Sequence, residues 1–287
     1  MGRFASSFAF LFVLAVVLGS AGCGQRFDDL GAGQPPAQSA FASDALTALR
    51  DAGSAHVVVD AHGGKISGTN AQLGIHFEGD VSSSAMAGDA QVTFPGGTLG
   101  ARVLADEHDV YVRFMGAWYH ADAGVSDALE QAGDENGELL NELTTPAGLG
   151  KLFTEIFEGE IAKGPDVDGT STWEFDGRLR AGAFADLVKK YGGIELSDND
   201  RALFEKVAAT SHLVVDVGRD DALPRKIELT LDPPKDLHFD SDELESSDGA
   251  FSLTVELSDF GREVSFSPPK EARPLDELFG QLFGVLG

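Results

Sequence analysis

Apolar and polar residues alternate along much of this chain, as they do in strands that have one buried and one wet face. The first clear case, at 56–62, sets Val57, Val59 and Ala61 on one face, and the next sets Leu73, Ile75 and Phe77 on one face. The same period predicts strands at 56–62, 72–81, 91–94, 100–105, 110–114, 172–180, 212–217, 226–231, 251–257 and 264–266. About ten strands result, so most of the domain is expected to be sheet.

Helical spacing of apolar residues appears in four shorter segments, at 44–50, 146–157, 183–191 and 200–208. Ser43 is placed to cap the first of them, since serine accepts hydrogen bonds from the free N–H groups of a helix start. The apolar faces of the second and third include Leu152, Phe153, Ile156, Phe184 and Leu187. These faces need a partner. The pattern therefore predicts an α+β fold, in which a curved antiparallel sheet carries helices on its concave side.

The end of the chain carries one further apolar stripe. After Pro274, the residues Leu275, Leu278, Phe279, Leu282, Phe283 and Leu286 recur at helical spacing, which predicts an amphipathic C-terminal helix. Three roles are open for it: a lid over a cavity, packing on the outer sheet, or contact with a membrane partner such as an exporter. No Lys or Arg follows Arg273, so a role on anionic bilayers has little support.

The N-terminus has the form of a lipoprotein signal peptide. Arg3 supplies a short positive region, and residues 8–18 are eleven consecutive apolar residues. That run is shorter than the roughly 20 residues needed to span a bilayer, and small residues interrupt it before Cys23. Cys23 is the only cysteine, so acylation accounts for it better than an internal disulfide. Cleavage before Cys23 and attachment of palmitate-like lipid to its thiol are expected, although Ser20 stands where the usual lipobox has an aliphatic residue.

Composition divides the rest of the chain simply. Residues 1–22 are expected to be the signal peptide, and 23–40 a lipidated N-terminus with a flexible tether rich in Gly, Pro and Gln. Residues 41–287 contain no second linker and are expected to form one domain. The formal net charge of −26 excludes nucleic acid as a partner, because phosphate binding needs clustered Lys and Arg. Residence at the extracytoplasmic face of the cell membrane would then depend on the lipid at Cys23.

Motifs for catalysis are missing from the sequence. It contains no Gly-x-Ser-x-Gly elbow, no His-Glu-x-x-His and no phosphate-binding loop. The seven histidines show no ligand spacing on a common helix face, and the acidic segments 134–138 and 236–248 do not fit a calcium loop. Carboxylate pairs such as Glu158 and Glu160 are expected to be solvated charge, and Pro95 to Gly100 a hairpin turn. We therefore predict no catalytic residue, no metal and no cofactor; a hydrolase of envelope polymers would need a convergent polar cleft.

Several short motifs occur in the order found in one known family. They are His56-Val-Val-Val59, Asp109-Val-Tyr-Val112 with Trp118-Tyr119, Pro146-Ala-Gly-Leu149 within 143–157, Asp168-Gly-Thr-Ser-Thr-Trp173, and Leu223-Pro-Arg-Lys-Ile227. By their order the chain resembles the LppX/LprA/LprF/LprG family of actinobacterial lipid-carrying lipoproteins, which have a LolA-like half-barrel. The resemblance covers most of the chain after Cys23, and no catalytic residues are carried over.

What the resemblance implies is an apolar cavity between the sheet and its helices that binds the acyl chains of a lipid or glycolipid. Acyl chains offer no hydrogen bonds, and the 20 Phe of this chain can line a dry volume without stranding polar groups. The candidate wall residues are Val57, Val59, Leu73, Ile75, Phe77, Val112, Phe114, Leu152, Phe153, Ile156, Trp173, Phe175, Phe184, Leu187, Leu213 and Val215. The alternative is a structural or sensory envelope lipoprotein with a packed, non-binding core.

Overall fold

The structure, a computed structural model, describes residues 33–65, 72–94, 96–106, 108–122, 145–192, 195–232 and 251–278. The predicted signal peptide, Cys23, both acidic segments and most of the C-terminal stripe lie outside these ranges. Within them, no helix combines the length and apolar character needed to cross a membrane.

Sheet dominates the described chain, as the alternation predicts. The helices are α1 (Gln38–Ala52), α2 (Pro146–Ile156), α3 (Ala183–Gly192) and α4 (Asp198–Ala209). The strands are β1 (Ser54–Lys65), β2 (Gln72–Ser82), β3 (Ala85–Phe94), β4 (Gly97–Asp106), β5 (Asp109–Phe114), β6 (Ala117–Asp122), β7 (Phe157–Val167), β8 (Thr170–Leu179), β9 (Ser211–Gly218), β10 (Pro224–Leu231), β11 (Phe251–Ser258) and β12 (Arg273–Pro274).

All twelve strands belong to one curved, open sheet with the order β12-β6-β5-β4-β3-β2-β1-β11-β10-β9-β8-β7. Every pairing is antiparallel except that of β12 with β6, where Arg273 stands opposite Tyr119. Two meanders, β1 to β6 and β7 to β11, meet where β1 pairs with β11, with Val59 opposite Val255. The sheet and its few helices confirm the predicted α+β half-barrel class.

Most predicted elements are present, usually with longer bounds, and three predictions are wrong. Residues 264–266 form no strand, and β7 occupies a segment that was assigned to the end of a helix and a solvated carboxylate pair. Ser43 does not cap α1, which begins at Gln38, so its hydroxyl donates to the carbonyl of Ala40 inside the helix. Small residues such as Ser39 and Ala40 fit a helix and a linker equally well, which is why this helix was predicted to begin later than it does.

Register divides the sheet into two chemically distinct faces. On the inner face, Val57 and Val59 of β1 stand beside Phe77 of β2 and Val255 of β11. On the outer face, many of the intervening positions are charged or polar, as at His56 and Asp80, although Val58 and the buried Leu104 also lie there. Helix α1 packs across the inner face, where Phe41 meets the aromatic ring of Phe175 in β8. The core therefore lies on the concave side, under the helices.

Candidate functional site

The two halves of the inner face contain the same local device. In β2, Phe77 precedes Gly79, which stands directly opposite Gly88 of β3, and the Phe77 ring lies over that glycine pair. In β8, Phe175 precedes Gly177, which stands opposite Gly159 of β7, again with the ring over the pair. A Cβ built on Gly88 would lie 2.6 Å from the Phe77 ring. Only paired glycines let a phenylalanine ring lie flat along a strand in this way.

The half of the inner face formed by β7 to β10 is closed by helices. Phe175 is 0% exposed, and its ring centroid lies 4.8 Å from that of Phe153 of α2 in an edge-on contact. Phe41 of α1 completes the aromatic group at 6.3 Å from both rings. Trp173, Leu213, Val215 and Val217 belong to the same buried cluster. This half is packed core of the kind that any stable domain requires.

The other half, formed by β2 to β5, is apolar but only partly covered. Its larger inner-face side chains that remain half-buried or exposed include those of Leu73, Ile75, Phe77, Val92, Phe94, Leu99, Val103 and Val112. Phe77, the counterpart of Phe175, is half-buried, and no other described aromatic ring stacks on it in the way that Phe41 and Phe153 flank Phe175. The two halves are built alike, but the side chains of α1 and α2 cover Phe175 more completely than any described residue covers Phe77.

The predicted wall residues fall into three groups. Those in or beneath the helices are buried or packed against buried clusters: Val57, Val59, Leu152, Phe153, Trp173, Phe175, Leu213 and Val215. Leu73, Ile75, Phe77 and Val112 lie on the partly covered half, and Phe114 is buried at its margin. Ile156 is the last residue of α2, and Phe184 and Leu187 belong to α3, where their side chains lie outside the described part. Whether any of them contacts a ligand stays a prediction.

The C-terminal segment wraps around the free edge of the first meander. After β11, Phe266 comes within 6.2 Å of the Tyr111 ring, and β12 then pairs with the edge strand β6. Leu275 and Leu278 turn onto the inner face against Phe114 and Tyr119. The first turn of this apolar stripe therefore packs on the inner face and not on the outer sheet, which was one of its three predicted roles. Residues 279–287 lie outside the described part of the chain.

Histidine and aspartate pairs bridge neighbouring strands on the outer face. The His56 Nδ1 lies 2.8 Å from Asp80 Oδ1, and the His76 Nδ1 lies 2.8 Å from Asp60 Oδ1. His120 pairs with Asp109 at 2.6 Å, and His212 with Asp176 at 2.8 Å. The described residues contain no group of three or more His, Cys, Asp and Glu side chains arranged to hold a metal ion. These pairs therefore cross-link strands on the wet side.

One carboxylate of the outer face is buried. Asp216 of β9 is 3% exposed and accepts a hydrogen bond from Thr172 Oγ1 at 3.3 Å. Burial, followed by repulsion from Glu174, raises the pKa of Asp216 above its ordinary value of 3.8. Nearby, the hydrogen bond to Glu228 raises the pKa of Lys226. Folding therefore makes Asp216 easier to protonate than it is in the unfolded chain.

Asp216→Asn should stabilise the protein near pH 7 by about 1 kcal/mol, because the amide has no charge to desolvate. Since the folded-state pKa is raised, the stability that Asp216 contributes is complete below pH 3.8 and is lost as the pH rises through the folded-state value. The gain from Asn should therefore shrink as the pH falls. Urea unfolding midpoints across this range measure it. A variant less stable than the parent at pH 7 would mean that attraction to Lys226 outweighs burial.

A small pocket lies beside the helices, away from the apolar positions of the first meander. Its volume is about 370 Å³, and its lining residues are Thr154, Glu155, Arg180, Ala181, Ala183, Asp186 and Lys190. The Arg180 guanidinium donates to the carbonyl of Thr154 at 3.1 Å. Charges of both signs line the pocket, and its lining residues include no serine, cysteine or histidine. It does not form the convergent cleft expected of a polymer hydrolase.

The fold and its faces define an open α+β half-barrel with an apolar concave side and a polar convex side. It is similar to the crystal structure of the lipoprotein LppX from Mycobacterium tuberculosis, with 15% identity, a TM-score of 0.45, and coverage of 82% of this chain and 100% of that one. For LprF from Mycobacterium bovis, the identity is 14% and the TM-score 0.41, over 83% and 99% of the two chains. A LolA superfamily protein from Nitrosomonas europaea follows at 11% identity and a TM-score of 0.24, over 81% and 98%.

These neighbours are the family that the sequence motifs resemble, together with the LolA superfamily. The name of the first neighbour identifies it as a lipoprotein, and the name of the third places it in the LolA superfamily. At these identities and TM-scores, the likeness concerns the course of the backbone. No family model and no curated protein sequence matches the chain.

Sequence reasoning missed the residues that close the packed half. Phe41 and Ala45 lie near the predicted start of the domain, and no packing partner was predicted for them. In the structure both belong to the buried cluster around Phe175. Gly159 and Gly177 were also passed over. A signal for Gly177 was present, because Phe77-Glu-Gly79 and Phe175-Asp-Gly177 place the same Phe-x-Gly sequence in strands that otherwise alternate.

Proposed function

We propose that this protein is a membrane-anchored, non-catalytic carrier that binds acyl chains of a lipid or glycolipid on the inner face of β2 to β5 and carries them across the cell envelope. One observation supports this most directly. Phe77 and Phe175 are built alike over paired glycines, but Phe175 is fully buried under two aromatic residues whereas Phe77 is half-buried. An acyl chain would occupy over Phe77 the place that Phe41 and Phe153 occupy over Phe175.

The chemistry of the partly covered half fits such a ligand. Its inner-face side chains are aliphatic or aromatic, so they offer no hydrogen bond and gain only from removing apolar surface from water. Half-exposed apolar positions concentrated on one face indicate a binding surface more often than a finished core. The lipid anchor at Cys23 would keep this face near its cargo.

The experiment compares two neighbouring residues of β3 that point to opposite faces. Val92 is half-buried on the inner face and Gln91 is exposed on the outer face. Val92→Asn should lower the fraction of molecules that retain lipid, because it sets an unsatisfied amide against an acyl chain. Gln91→Asn should leave that fraction unchanged. Native mass spectrometry of the chain without residues 1–22, with Cys23→Ala, measures the occupancy.

Two results would contradict carriage. The first is a parent protein that purifies without lipid and takes up none from vesicles. The second is an equal occupancy for Val92→Asn and Gln91→Asn. Either would favour the alternative function, a structural or sensory envelope lipoprotein whose sheet binds no ligand.

A further inference from the structure

Exposed apolar side chains gather at one end of the sheet. Among the described residues, the large hydrophobic side chains that are exposed are Leu73 at 40%, Met115 at 87% and Phe251 at 36%. Leu73 lies at the start of β2, Phe251 begins β11, and Met115 lies in the turn between β5 and β6. The pairings of Ser252 with His62 and of Phe114 with Ala101 place these strand ends on the same side. We call this end the apolar rim.

The opposite end of the sheet has a different chemistry. Its turns carry Ser83 and Ser84 between β2 and β3, His108 between β4 and β5, and Asp259 after β11, all exposed. Among the described residues, the large exposed apolar side chains therefore lie at one end of the sheet and not at the other. The asymmetry is therefore a property of the surface and points to a partner at the apolar rim.

Met115 strengthens this interpretation because its backbone is unfavourable for its side chain. Its φ is +50°, in the left-handed region that Gly, Asn and Asp tolerate best. The described chain uses Asp at two of its other positive-φ turn positions, Asp168 and Asp259. A methionine in this conformation, almost wholly in water, contributes nothing visible to the fold. It is suited to insertion into an apolar medium.

The chain also reaches the folded body at this rim. The side chain of Gln38, the first residue of α1, donates to the carbonyl of Phe157 at 3.0 Å, and Phe157 begins β7 at the apolar rim. The end of α1 leads into β1 at the opposite rim. Fifteen residues separate Cys23 from Gln38, a reach of roughly 50 Å at most. A tether from a lipid on Cys23 would therefore join the folded body at the apolar rim.

From these observations we infer that the apolar rim rests on the membrane surface, with Met115 inserted among the lipids and the inner face opening toward them. This inference rests on the proposed function, since it states how a carrier would meet its cargo. With a net charge of −26, the domain would use apolar contact in place of attraction to anionic headgroups.

The test uses the native tryptophans. Trp118 is half-buried at the start of β6, close to Met115, whereas Trp173 is buried beneath Arg219 toward the opposite rim. The lipidated full chain is reconstituted into phosphatidylcholine vesicles whose acyl chains carry bromine, which quenches tryptophan fluorescence on contact. Partial quenching is expected, and Trp118→Phe should remove the quenched component. Met115→Asp should abolish most of the quenching, and the matched change Ser84→Asp at the opposite rim should leave it intact.

Unchanged quenching in Met115→Asp would overturn the membrane contact. A parent protein that is a dimer and becomes a monomer in Met115→Asp would also overturn it, because the rim would then be an interface between two copies of the chain. Cys23→Ala distinguishes binding through the lipid anchor from binding through the apolar rim. Without the anchor, most of the protein should stay in solution when the vesicles are floated. The lipid occupancy of Met115→Asp, measured by native mass spectrometry, distinguishes a loss of membrane contact at the rim from a loss of lipid binding. If Met115→Asp retains lipid but loses quenching, the result supports both lipid carriage and membrane contact through the apolar rim. If quenching persists in a parent chain that never binds lipid, carriage is overturned and the membrane contact stands.

Discussion

Phe175→Ala should destabilise the protein by about 3–5 kcal/mol, the usual cost of removing a fully buried aromatic side chain. Phe175 is 0% exposed and lies between Phe41 and Phe153, so its loss would leave a cavity beneath two helices at once. Helix α1 packs on this half through the same cluster. The free energy of unfolding from urea titration, read by far-ultraviolet circular dichroism, measures the effect.

Phe77→Ala is the matched control, because Phe77 occupies the equivalent place over Gly79 and Gly88. It is half-buried, so the loss should be nearer about 1–2 kcal/mol. Equal losses for the two variants would show that the two halves are equally covered. That result would also remove the structural support for a ligand over Phe77.

Gly177→Ala should cost about 2–3 kcal/mol through overpacking. Its Cβ would lie 2.5 Å from the carbonyl oxygen of Glu158 and 2.5 Å from the Phe175 ring, and neither can withdraw because one is backbone and the other is enclosed. Gly97→Ala is the control, since nothing lies within 4 Å of the added methyl group. Thermal or urea unfolding compares the two alanine variants directly.

A double variant makes the cause testable. If Gly177→Ala acts by displacing the Phe175 ring, the loss in Phe175→Ala with Gly177→Ala should be smaller than the sum of the separate losses. Strict additivity would show that the methyl group acts only through the backbone of β7. A Gly177→Ala protein as stable as Gly97→Ala would contradict the close approach altogether.

Much of the fold could be predicted because its signals are local. The alternation around Val57, Phe77 and Phe175 depends only on the period of a strand, and Pro146 marks the start of α2 as a proline at the first helical turn should. The missed strand β7 shows the limit of such signals. Its sequence, Phe157 to Val167, mixes charges and glycines without clean alternation, because it is an edge strand with Gly159 and Gly164 packed closely against neighbouring strands.

The cover of the inner face could not be predicted in the same way. All the proposed wall residues are apolar, and nothing in their spacing distinguishes Phe175, which is enclosed, from Phe77, which is not. The difference comes from where α1 and α2 cross the sheet, and those contacts join Gln38 to Phe157 and Phe41 to Phe175, more than a hundred residues apart. Helix amphipathicity requires burial but does not say against which strands.

By itself, the sequence determined that this chain forms a sheet with one apolar and one largely polar face, carries a few amphipathic helices, and has a single cysteine after a run of eleven apolar residues. These properties follow from the side-chain period and the composition, which are written into neighbouring residues. Only the tertiary structure decided which half of the apolar face is filled by the chain's own helices and that Leu73, Met115 and Phe251 share one rim. Both depend on strand order and register, which bring distant residues together and leave no local trace.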